Sequence, residues 1–160
     1  MDPDAKKKLL RRIPCGLYVV GLRAGDERHG FTASWFSQVS MKPPCVMVGV
    51  RSDSRSFEMM KEGKVFSVNF IRKQNKATLE HFFKPSTSRD GDRLGSFPCE
   101  TGSTGAPILK EAVGFLECEV RKIVDGFGDH AVVVAEVVNA RLFEDVEPLV
   151  MADTPWHYGG

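Results

Sequence analysis

Gly30-Phe31-Thr32-Ala33-Ser34-Trp35-Phe36-Ser37-Gln38-Val39-Ser40 is followed by Pro43-Pro44-Cys45-Val46-Met47-Val48-Gly49-Val50, then by Ser54-Arg55-Ser56 and Phe66-Ser67-Val68-Asn69. Small hydroxyl residues alternate with apolar ones where a strand should end. A ligand with a flat apolar ring and a polar, phosphorylated tail calls for that mixture. Pro43-Pro44 stiffens the approach to an apolar strand over Cys45–Val50, because proline fixes φ and pushes its predecessor into extended conformation.

Working outward, Gly16–Leu22 is rich in β-formers and predicts a strand. The Ala24-Gly25-Asp26-Glu27 turn sends Arg28–Ser34 back antiparallel to it. Ser54–Glu62 reads as a helix capped by Asp53 or Ser54, with Phe57, Met60 and Lys61 on one side and Gly63 as terminator. Val65–Ile71 is a strand, and Gln74–Lys84 a helix stopped by Pro85. Lys6–Arg12 is a short helix, whereas Ser86–Gly105 is polar and reads as a long loop.

Leu116, Cys118 and Val120 alternate with Glu117, Glu119 and Arg121, the period of a strand with one wet face. His130–Val138 is a nearly continuous apolar run, as expected for a strand covered on both faces. About six or seven short strands with few helices predict a mainly β fold with short helices (α+β), a closed or partly closed barrel.

The length of 160 residues fits one domain over 1–160 with a real core. Net charge is +1, which gives a nucleic-acid partner no global electrostatic support. No apolar run approaches the ~20 residues of a membrane helix, and no signal-peptide core follows the charged N-terminus, so a cytoplasmic location is expected. The four cysteines form no CxxC pair and suggest no metal site; Cys45 and Cys118 sit among apolar residues as buried thiols.

Three segments can carry chemistry. The junction Arg51-Ser52-Asp53-Ser54-Arg55-Ser56 puts hydroxyls and arginines at a helix start, where unpaired N–H groups favour an anion. The same serines also read as plain caps. In Thr32–Ser40, small residues let the backbone approach a ring edge, and Gln38 and the hydroxyls can bond it, while Trp35 stacks on a ring or simply packs. Gly128-Asp129-His130 places a histidine at the mouth of a strand, either orienting a ligand or bonded in its turn; His29 and His81 read as structural or surface residues. The aromatic tail Trp156-His157-Tyr158-Gly159-Gly160 invites docking onto a ligand or partner. There is no P-loop, HExxH or G-x-S-x-G elbow, and Gly126-Phe127-Gly128 lacks the third glycine of a dinucleotide fold.

The order and spacing of these segments, with Gly105-Ala106-Pro107-Ile108-Leu109, Leu116-Glu117-Cys118 and Gly128-Asp129-His130, resemble the flavin reductase-like family over roughly Arg12–Asn139. The resemblance implies an FMN-binding split barrel, a homodimer and one FMN per subunit. It implies hydride from NADH or NADPH and onward transfer to free flavin, ferric iron or a redox protein. It places the ring on Thr32, Ala33, Ser34, Trp35, Gln38 and Val39. Phosphate and ribityl contacts fall on Ser40, Gly49, Val50, Arg51, Ser54 and Ser56, and His130 falls beside the nicotinamide. Arg51 stands where many relatives carry Asn. Two alternatives accompany this expectation: an FMN electron-transfer module reduced by a protein partner, and a binding protein for haem or a deazaflavin.

Overall fold

The computed structural model describes residues 1–160. The expected hairpin is present: β1 (Tyr18–Ala24) and β2 (Glu27–Ala33) pair antiparallel from Tyr18↔Ala33 to Ala24↔Glu27. Gly25 turns the corner at φ +60°, a conformation that carries no Cβ penalty in glycine. β3 (Phe36–Met41) pairs with β4 (Pro44–Arg51) across a cis Lys42–Pro43 peptide bond, with a bulge between Gln38 and Ser40. The sequence reading put no strand at β3. As an edge strand it buries no residue fully, so no apolar alternation marks it.

β5 (Val65–Phe70), β10 (Gly114–Val124) and β11 (His130–Leu142) complete the large strands. With β6 (Ser86–Ser88) they form one eight-stranded sheet, ordered β3-β4-β11-β10-β5-β1-β2-β6. β7 (Arg93–Leu94), β8 (Phe97–Thr101) and β9 (Pro107–Leu109) form a separate three-stranded sheet. The total is eleven strands, not six or seven. The additional ones lie mostly in the segment expected to be a loop. They are too short to show a period, and Leu94 and Cys99 are buried where the sequence looks polar.

Two cores result. One lies inside the curled sheet and includes Val20, Leu22, Phe31, Val48, Phe66 and Cys118, closed by Phe57, Met59 and Met60 of α2 (Arg55–Gly63). The other includes Val19, Ile71, Phe82, Leu94 and Leu109, together with Leu79 of α3 (Lys76–His81) and Leu149 of the C-terminal segment. Each fully buried side chain of this size contributes roughly 1.5–3 kcal/mol. Ser67 and Asn69 stitch β5 to the small sheet: Ser67 Oγ donates to the Pro107 carbonyl, and Asn69 Oδ1 accepts from Leu109 N–H at 2.8 Å. In this chain the Phe66–Asn69 motif is therefore structural.

Further sequence expectations need correction. β11 is not covered on both faces: Ala131, Val133 and Ala135 are buried, while Val132 and Val134 are only half-buried. β-branched residues suit either face of a strand, so the run says nothing about how many faces are covered. Glu117 is not on a wet face; a register shift between Glu117 and Cys118 accompanies its complete burial. At the end of α2 it is Lys64, not Gly63, that turns left-handed at φ 55°. The helices α1 (Pro3–Leu10) and α3 are shorter than or displaced from the expected spans, as fraying ends commonly are.

Candidate functional site

A cavity of about 620 Å³ opens where β2 and β4 end, bounded by the start of α2, the end of α3 and the C-terminal segment. Its placement follows from the sheet. β2 ends in Thr32-Ala33 and runs into Ser34-Trp35, while β4 ends in Gly49-Val50-Arg51 and runs into the α2 cap. Each of these named residues lines the cavity, as do Ser54 and Ser56, whereas Ser52 and Asp53 do not.

The apolar wall is built from Phe31, Val50, Phe82 and Phe83, with Trp35 opposite the backbone of Gly49. A Cβ at Gly49 would sit 3.1–3.2 Å from Trp35, so glycine lets the indole lie close to the strand. The indole is held further by His130 (ring centroids 4.6 Å) and Tyr158 (5.1 Å). Thr32 is fixed to the chain behind it, its Oγ1 donating to Leu79 O at 2.7 Å.

The polar end is the start of α2. Ser54 is the N-cap: its Oγ accepts from Phe57 N–H at 3.2 Å and donates to Arg51 O at 2.7 Å. The Arg55 and Ser56 N–H groups have no acceptor within the chain, as expected of first-turn donors. Ser56 Oγ lies 2.8 Å from His29 Nε2, and both residues are buried. Arg51 forks onto Asp53 at 3.0 and 2.7 Å while remaining exposed. That bond holds the Asp53 carboxyl below the usual carboxylate range.

Several expected site residues are not at the cavity. Gln38, Val39 and Ser40 lie along β3, largely exposed, with Gln38 Nε2 donating to Ser40 O at 3.1 Å. β3 leads away from the cavity because it must pair with β4 along its length. His130 does not line the cavity either. Its Nδ1 lies 2.8 Å from Asp129 Oδ1 and its Nε2 lies 2.7 Å from Tyr158 Oη. The Asp129 carboxyl, depressed by that bond, accepts from Nδ1–H, and Nε2 pairs with the Tyr158 hydroxyl. Burial pushes the Tyr158 phenol up, opposed by Arg51, and keeps it a donor.

The tail supplies what the sequence left open. Val150 bridges Gly16, Met151 N–H donates to Cys15 O at 3.0 Å, and the chain then turns back so that Trp156, His157 and Tyr158 line the cavity. Trp156 packs edge-on to Phe83 at 4.8 Å. Gly159 passes so near Trp35 that a Cβ there would meet the indole at 2.8 Å. The three aromatic-tail residues were visible in the sequence as a docking element. In the sequence Phe82 and Phe83 read as apolar helix positions and as part of an aromatic surplus for a partner subunit to cover; Phe82 is instead fully buried, and both line the cavity.

An apolar slot walled by an indole, ending in free helix N–H groups and hydroxyls, fits a flat ring with an anionic tail. The sequence profile of the Flavin reductase like domain matches residues 10–159. The chain belongs to that family. The reductase component of 4-hydroxyphenylacetate 3-monooxygenase from Thermus thermophilus is 31% identical over 92% of this flavin reductase-like chain and 90% of its own length. Diflavin flavoprotein A 1 of Synechocystis sp. is 33% identical over 89% of the chain. The chain spans only about a quarter of the diflavin flavoproteins it matches, 24% in that case. Among solved structures, the NADH:FAD oxidoreductase SgcE6 of Streptomyces globisporus superposes with a TM-score of 0.79 at 28% identity, covering 94% of this chain and 90% of its own. The mainly β fold is thus the flavin reductase split barrel. No helix is long and apolar enough to cross a membrane.

Proposed function

We propose that residues 1–160 act as an NAD(P)H:flavin reductase domain that holds FMN in the cavity. The observation that carries this reading is the single continuous slot joining the Trp35 wall to the start of α2. A bound flavin supplies the hydride acceptor and passes electrons on in one or two steps. The chain's own part is positioning. Trp35, Phe31 and Val50 exclude water from the ring; Ser56 and the free N–H groups at the start of α2 receive the phosphate, with Ser54 holding that helix start in place; Arg51 meets it from the rim. Asp129, His130 and Tyr158 hold a proton at the Tyr158 hydroxyl beside the slot, so His130 acts through Tyr158 and Trp35. Acceptors of the electrons are free flavin, ferric iron or a redox protein.

The as-purified spectrum and an anaerobic NADH titration test this reading. Rapid bleaching of a flavin spectrum by NADH or NADPH is expected; a flavin that stays oxidised with both overturns it. The likeness to a segment of a diflavin flavoprotein favours a second reading, an FMN relay reduced by a protein partner. Slow or absent bleaching by both NADH and NADPH selects that one.

Arg51→Ala is expected to weaken FMN about tenfold while sparing riboflavin, since a charge-assisted hydrogen bond contributes about 1.5–3 kcal/mol. Equal losses for the two flavins, measured by fluorescence titration, would rule out a phosphate role. We further propose that a second copy covers the exposed apolar residues of β3, Val39 and Met41, which are 51% and 84% exposed. Light scattering should then give twice the chain mass, and a monomer that keeps its flavin refutes the pairing.

A further inference from the structure

The residue of this cavity's surroundings that the function does not yet use is His29. It lies on β2 with its ring turned inward and is 2% exposed. Its two nitrogens meet only hydroxyls: Nδ1 lies 2.8 Å from Thr87 Oγ1 on β6, and Nε2 lies 2.8 Å from Ser56 Oγ on α2. Thr87 is exposed, whereas Ser56 is 3% exposed and faces the cavity. The imidazole therefore connects solvent on one side to the anion end of the slot on the other. We propose that His29 is a positioning residue for the ligand phosphate, setting the direction in which the Ser56 hydroxyl donates. This inference rests on the flavin reading above.

The argument is one of proton count. Burial pushes the His29 pKa down, with Glu27 opposing and Arg55 assisting, so the ring is neutral and carries one N–H. If Nδ1 holds the proton and gives it to Thr87, Nε2 must accept from Ser56, and Ser56 then offers the cavity only lone pairs. If Nε2 holds the proton, it donates to Ser56 Oγ, Thr87 donates to Nδ1, and the Ser56 proton is free for an anion. Exposed Thr87 can take either role, because water satisfies whatever the ring does not. An anionic phosphate selects the second arrangement. Without the imidazole, a serine hydroxyl near a helix start turns to nearby backbone carbonyls instead. His29 thus keeps the Ser56 hydroxyl off the backbone carbonyls, and the anion then selects the tautomer that frees its proton.

The test is a double-mutant cycle read as FMN and riboflavin dissociation constants. His29→Leu and Ser56→Ala should each weaken FMN about tenfold, leave riboflavin unchanged, and together cost no more than either alone. His29→Gln, whose amide N–H reaches the place of Nε2–H, should restore FMN binding to within about twofold. Additive losses, equal losses for riboflavin, or an unaltered FMN constant in His29→Leu would overturn the role of His29 and leave the flavin reading standing. Wild-type protein with no preference for FMN over riboflavin overturns the role of His29 as well, and one that binds neither flavin overturns both readings. Imidazole nitrogen shifts give an answer that needs no folded variant. FMN, but not riboflavin, should move His29 of the unaltered protein to the Nε2–H form. A ring that keeps its proton on Nδ1 with FMN bound refutes the proposal.

Discussion

Glu117→Gln is expected to lower the stability of the fold by about 3 kcal/mol. Glu117 is fully buried on β10. Its carboxylate accepts from Ser103 N–H (3.1 Å) and Oγ (2.8 Å), from Thr104 N–H (2.8 Å) and Oγ1 (2.6 Å), and from Asn139 Nδ2 (2.7 Å). Desolvation alone would raise its pKa, but these hydrogen bonds outweigh it and hold the carboxyl at about 2. A glutamine would turn an NH2 group toward donors.

The sign of the pH dependence follows. The ordinary value is 4.5 and the folded value about 2. The stabilisation is complete above 4.5 and drains away as pH falls toward 2, and the difference corresponds to about 3 kcal/mol. Urea denaturation midpoints across that acid range should fall for the wild type, with a shallower fall in Glu117→Gln. Parallel curves for the two proteins would show that the carboxylate contributes nothing.

Gly63→Ala should cost about 3 kcal/mol, at the upper end of overpacking penalties, because it forces backbone against backbone. A Cβ at Gly63 would fall within the van der Waals envelope of the Arg23 carbonyl oxygen on β1. No side-chain rotation relieves that contact, so α2 would have to lift from β1, carrying Phe57, Met59 and Met60 out of the inner core. The adjacent Lys64→Gly is a control with the opposite sign. Lys64 has φ 55°, which costs a side-chain-bearing residue energy and glycine none. Thermal melts should separate the two substitutions by several degrees in opposite directions. A neutral Gly63→Ala would mean that α2 is not packed as tightly against β1 as the structure shows.

These two residues also mark the boundary of sequence reading. Gly63 near the end of an amphipathic helix reads as a terminator, because glycine favours left-handed caps. The conformation and the close approach turn out to fall on different residues, and only packing against β1 could say which. Glu117 alternates with apolar neighbours and so reads as solvent-facing. Its burial needs the Gly102–Gly105 turn, separated from it in sequence, to close over it with matching donors. Gln38, Val39 and Ser40 fall in the stretch where the family resemblance leads one to expect flavin contacts, yet edge pairing with β4 carries them away from the cavity.

The sequence by itself determined the β-rich class, the first hairpin, the Ser54 cap and the segments Thr32–Trp35 and Gly49–Ser56 that meet at the cavity. These depend on local propensity, turn chemistry and hydroxyls at a helix start, all of which act over a few residues. Only the tertiary structure decided that Trp156–Tyr158 fold back onto the cavity, with Tyr158 against Trp35, that Phe82 and Phe83 wall the same cavity, and that His29 reaches Ser56 from another element. Those contacts join residues that lie from about 30 to more than 120 positions apart. Their formation depends on long-range closure, whose cost is met by burial summed over two cores rather than by any local pattern.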